Sequence, residues 1–150
     1  MLMQFLNRHA GAVQAIAAML TVLLALCALI GVKWQIDAAD RIQRAQSARD
    51  IYREYLSMAI NKPELASPDY CKIINTPQQA AYENFVEYML YTAEQTISVE
   101  ADWANTFAPT LKDHAQYICA VEDATDYAES VARLITTFQA ANCKTLQPCP

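Results

Sequence analysis

The sequence predicts an all-α chain in which one N-terminal transmembrane helix continues into an up-down four-helix bundle. Three observations carry this. Gly11 to Val32 (GAVQAIAAMLTVLLALCALIGV) is a run of 22 residues without a charge, and as a helix it is about 33 Å long, enough to cross the hydrocarbon core of a bilayer. The chain has two glycines, both in that run, while prolines 63, 68, 77 and 109 fall in or between the later periodic segments. Long alternating β-branched runs are absent, and apolar residues recur at helical spacing instead.

The chain divides into an N-terminal tail (1–10), a transmembrane helix (11–34), a helical bundle domain (35–141) and a C-terminal tail (142–150). Lys33 and Trp34 place a charge and an interfacial aromatic where the span meets water. Three other readings of the apolar run stay open. A cleaved signal peptide suits Arg8 and His9, but the run is long for one and ends in LIGVKW without an A-x-A-like site. A lipoprotein would use Cys27, yet Leu26 precedes it where a small residue is expected. A core helix of a soluble protein would need a larger, less polar wrapping than the roughly 116 residues that follow. Cys27 reads as a small apolar filler.

Nothing breaks a helix between Trp34 and Pro63, so the first helix is expected to reach about Asn61. Its packing stripe is expected at Ile42, Ala45, Tyr52, Leu56 and Ala59, with Arg49 interrupting. Asp37–Arg41 and Asp40–Arg44 are i,i+4 pairs on a solvated face. Lys62 to Asn75 reads as a loop. A second helix, Pro77 to about Ile97, starts with Thr76 as cap, Pro77 in the first turn and Gln79 reaching back. It carries the clearest amphipathic pattern, Tyr82, Phe85, Val86, Met89, Leu90, Ala93 and Ile97. A third helix puts Trp103, Phe107, Leu111, His114 and Ile118 on one face, with Pro109 expected to kink or split it near Ala108. The last helix, capped by Asp126 with Glu129, presents Tyr127, Val131, Leu134, Ile135 and Phe138 and ends near Ala141.

Four cysteines follow the span: Cys71, Cys119, Cys143 and Cys149. In an up-down bundle Cys71 and Cys119 share the end far from the membrane, while Cys143 and Cys149 return to the near end. Joining the two ends means crossing roughly 25 Å, too far for a disulfide. The expected pairs are therefore Cys71–Cys119 and Cys143–Cys149, the first contributing roughly 3 to 4 kcal/mol. The alternative is four free thiols. Disulfides favour an exoplasmic, oxidising compartment. Lys33, Arg41 and Arg44 just beyond the span favour a cytoplasmic domain, the close alternative, but two reachable cysteine pairs make the exoplasmic side the expected one.

Charge excludes one class of partner. The net charge is −5, and from Ile73 onward three basic residues face ten acidic ones, so no phosphate-binding track for nucleic acid is expected. Chemistry-bearing motifs are sparse. His114 sits alone on an apolar face and reads as a packed structural histidine. No E-x-x-H pair, C-x-x-C-H or zinc-ligand spacing occurs, and no Gly-rich phosphate loop. Glu83, Glu87 and Glu94 line one edge of the second helix and read as a solvated face, the alternative being a cation-binding or partner-binding strip. Tyr88 and Tyr91 stand off the main stripe as surface or partner-facing aromatics. No catalytic residue, metal or cofactor is expected.

The feature order resembles a group of bacterial single-span, membrane-anchored helical proteins of unknown function. The residues that carry it are Gln35-Ile36 after the span, Arg41 to Arg44, Pro63-Glu64-Leu65-Ala66, the aromatic stretch Tyr82 to Glu94, and Trp103. The resemblance implies a membrane-anchored helical domain and a bacterial inner-membrane location, and brings no activity with it. The four cysteines lie outside the shared pattern.

Two roles are expected. The first is a non-catalytic accessory or scaffold subunit of a larger membrane assembly, its span packing on other integral membrane subunits or on a second copy of itself through Ala12, Ala15, Ala17, Ala18, Ala25 and Ala28. The second is a membrane-anchored sensor binding a ligand between helices near Trp103, His114 and Tyr117. Tyr88 and Tyr91 are further candidate partner contacts.

Overall fold

A computed structural model describes residues 10–147 and 149. The expected tail over 1–9 and prolines 148 and 150 lie outside the described residues. Among those described the chain is helical, without strands. Helix α1 (Ala10–Asn61) is one uninterrupted element of 52 residues. There follow α2 (Pro63–Ala66), α3 (Tyr70–Ile73), α4 (Gln79–Ile97), α5 (Trp103–Thr110), α6 (Ala115–Ala120) and α7 (Glu129–Asn142). A 3-10 turn at Ala124–Asp126 precedes α7, and another at Cys143–Thr145 follows it.

The chain separates into two units between Gln43 and Arg44. In the first, the part of α1 over 11–30 has every side chain exposed, and this stretch is long and apolar enough to cross a membrane. Trp34 is exposed as well.

In the second unit, α4 is the centre. It packs against α2, α5 and α7, and α6 packs against α3 and α7. The reason is its pattern: Tyr82, Phe85, Val86, Met89, Leu90 and Ala93 are all buried, as the spacing predicts. Thr92 and Thr96 are buried too, because each hydroxyl donates to a carbonyl four residues back, at Tyr88 (2.8 Å) and Thr92 (2.9 Å), and so is not left unpaired. From α1, the buried positions are Ala48 and Tyr55. The stripe is therefore Ala45, Ala48, Tyr52, Tyr55 and Ala59, a 3-4-3-4 repeat that Arg49 does not interrupt. The expected Ile42 is 60% exposed and Leu56 is 39% exposed. Tyr52 stacks edge-on against Trp103, with ring centroids 5.0 Å apart, and Tyr55 lies 5.8 Å from Phe85.

Local details depart from the expected ends. The segment 62–75 is not a plain loop, since Pro63 opens α2 and Asp69 pairs with Lys72 (2.8 Å) along α3. The Gln79 side chain does reach back, but it accepts from the Asn75 N–H (2.7 Å), past Thr76. Asn75 adopts φ 63°, a left-handed turn that asparagine tolerates. Asp126 does not cap α7. Asp123 instead accepts from Thr125 N–H (2.8 Å) and closes the 3-10 turn.

The third expected helix is two. Pro109 is accommodated in the last turn of α5, and the break comes after it, at Leu111 to His114. There the backbone tightens into i→i+3 bonds, Lys112 to Pro109, Asp113 to Thr110 and His114 to Leu111. These turns keep the expected face together: Phe107, Leu111, His114 and Ile118 are all buried.

The disulfides correct the sequence-based pairing. The bonds are Cys71–Cys149 (Cα–Cα 5.2 Å) and Cys119–Cys143 (5.6 Å), in place of Cys71–Cys119 and Cys143–Cys149. The expected pairing assumed limbs of full bundle length. Helices α5 and α6 have 8 and 6 residues, only about 12 and 9 Å each, and do not separate two ends. The C-terminal part of α7 also docks at the end of α6, where Gln139 Nε2 donates to the carbonyls of Ile118 and Val121, both at 2.9 Å. That contact delivers Cys143 to Cys119 and leaves Cys149 to Cys71.

Candidate functional site

The residues singled out in the sequence fall in three separate places. Tyr88 and Tyr91 face the C-terminal part of α1. Burial first, and then the neighbouring Glu54 carboxylate, holds the Tyr88 phenol protonated above its ordinary range. Tyr91 is half exposed and lines a groove of about 340 Å³ with Ala48, Ile51, Gln95 and Val99. Trp103 packs on Tyr52 at the start of α5. His114 and Tyr117 come together, on either side of Tyr82.

This last group forms a polar seam through an aromatic layer. His114 is 1% exposed, held by Leu111 and Ile118 on its own face. Its Nδ1 is 3.0 Å from the Tyr82 hydroxyl, and its buried Nε2 has no hydrogen-bond partner. Burial pushes the imidazole pKa down from 6.5 to about 4, and Asp113 opposes this only weakly. Tyr82 stands at 90° to Tyr117 with centroids 5.8 Å apart, and Tyr70 tilts against Tyr82 at 5.5 Å. At the solvent edge, Glu87 Oε1 accepts hydrogen bonds from both Tyr117 (3.1 Å) and Tyr127 (2.7 Å). Burial, then the Glu87 carboxylate, raises both phenols. Glu83 accepts from Gln79 Nε2 at 2.7 Å.

At neutral pH, then, the histidine is neutral and the phenols keep their protons. The seam's hydrogen bonds, Tyr82 with His114 Nδ1 and Glu87 with Tyr117 and Tyr127, hold α4, α6 and the Ala124–Asp126 turn together, while His114 Nε2 stays without a partner. Among the described residues no group of three or more His, Cys, Asp or Glu is placed to hold a metal ion.

Sequence reasoning missed Glu87 as a partner, because its two tyrosines arrive from 30 and 40 residues away and no local spacing encodes that. It also missed Tyr82 as the partner of His114, although both lay on faces it had marked as buried. A further feature, not anticipated, is a cleft of about 370 Å³ beside both disulfides, lined by Tyr70, Ile74, Gln116, Ala120, Leu146 and Gln147 together with Cys119, Cys143 and Cys149. Cys27, the remaining cysteine, is free and exposed in the apolar part of α1. Lys33 and Trp34, the expected membrane-interface residues, are both exposed.

Comparison with protein-family models, with curated proteins and with solved structures finds no match to this chain.

Proposed function

We propose that the chain is a non-catalytic accessory or scaffold subunit of a larger membrane assembly, anchored by the apolar part of α1 and bearing its helical head on the periplasmic face of a bacterial inner membrane. One observation carries the reading. The described side chains 11–30 are all exposed, an apolar surface far larger than a soluble monomer leaves open to water. Lipid covers it, and the alanine-rich positions let another span, or a second copy, approach closely. The head is read as a bundle of four limbs with the third broken after Pro109. Two disulfides favour the oxidising side of the membrane over the cytoplasm.

The sensor reading is less well supported at its expected site, since His114 is enclosed and Trp103 packs elsewhere. Purification in mild detergent tests the scaffold reading. The expected result is a particle larger than one chain in its micelle, which falls apart on Ala18→Leu with the head still folded. A lone monomer unaffected by that substitution contradicts it.

A further inference from the structure

The two disulfides border one cleft but are not equivalent. Cys119–Cys143 duplicates a contact that is strong without it. Helices α6 and α7 already meet through buried Ile118, Val131 and Ile135, and Gln139 makes two hydrogen bonds across the same junction. Among the described residues, Cys71–Cys149 is less supported on its C-terminal side. Lys144, Thr145 and Gln147 are exposed and Leu146 is half-buried. Among the described residues, Gln116 Nε2 donates to the Gln147 carbonyl (2.8 Å), and Thr145 Oγ1 donates to the Asn142 carbonyl at the end of α7 (3.2 Å). On the other side Cys71 is well held, because its neighbour Tyr70 packs on Tyr82 and Tyr117. Leu146 and Gln147 line the cleft together with Tyr70 and Ile74.

We propose that Cys71–Cys149 is a redox latch and Cys119–Cys143 a permanent staple. A dithiol reductant attacks one sulfur of the latch and the other sulfur leaves as a thiolate. The second thiol of the reductant then resolves the mixed disulfide. Two electrons and two protons pass to the protein, giving two cysteine thiols and an oxidised, cyclised reductant. The described segment 144–147 then swings away, uncovering Tyr70 and Ile74, while the core of the head stays folded. A disulfide oxidant reverses the exchange: it takes up the two electrons and two protons, leaves as a dithiol, and the re-formed bond closes the cleft. This device does not depend on the membrane reading, since it rests on the head alone.

The test is a dithiothreitol titration of the full chain in mild detergent, with acid quench, alkylation and peptide mass mapping. Cys71 and Cys149 are expected to become alkylated at about tenfold less reductant than Cys119 and Cys143. Far-UV circular dichroism should not change at that point. Amide exchange should rise over 143–147 and not over 131–138. A Cys71→Ser/Cys149→Ser variant should show the same exchange pattern without reductant. Opening of Cys119–Cys143 first, or of both bonds together with loss of helix signal, overturns the proposal. The titration of the native chain decides even where the double variant fails to fold.

Discussion

The apolar part of α1 and the disulfide-tied head are both helical, but they are stabilised from opposite sides. The side chains over 11–30 are exposed, so that segment gains its stability from whatever solvent or span surrounds it. The head buries its own apolar faces on α4 and pairs Tyr82 with His114 and Glu87 with Tyr127 across its helices. Hydrophobic residues are abundant in both. What differs is periodicity: the first segment is apolar on every side, and the second only on a stripe.

Substitutions that damage one region and spare the other sharpen this contrast. Phe107, 1% exposed and in ring contact with Tyr52 and Tyr55, should cost the head about 3 to 5 kcal/mol as Phe107→Ala. Denaturant unfolding of the head measures this, and membrane partitioning should not change. The reverse experiment is Leu23→Arg. It should penalise insertion by about 3 kcal/mol, seen as loss from the membrane fraction, with the head's unfolding midpoint unmoved.

The pH dependence isolates the head further. The folded pKa of His114 lies below its unfolded value, so the unfolded chain takes up the proton first as pH falls. The stability is complete above about pH 6.5 and is lost progressively toward pH 4, a total of about 3 kcal/mol. Unfolding midpoints measured across that interval should fall for the native chain and stay flatter for His114→Gln. The smallest effect is at the surface: Glu87→Ala should cost about 1 kcal/mol, because its two tyrosine hydroxyls can turn to water.

Much of the fold was legible because periodicity is local. The faces of α4, of Trp103 to Ile118 and of α7 are those the spacing predicts, and so is the unbroken run to Asn61. The α1 stripe was misread by following Leu56 where Tyr55 continues the repeat. The disulfide partners were not legible at all. They depend on how short α5 and α6 are and on where Gln139 docks, and both are set by tertiary contacts. The same holds for Glu87, whose two tyrosines come from distant segments. The polar seam was legible only in part, as a buried histidine whose partner went unnamed.

Anchoring through the apolar run is the claim on which the assembly reading rests. Cells are broken, membranes are pelleted and washed with alkaline carbonate, and the protein is sized by intact mass. The account predicts the full-length chain, residues 11–34 included, in the washed membrane pellet. A full-length chain in the supernatant, or a chain trimmed beyond Val32 and freely soluble, contradicts it.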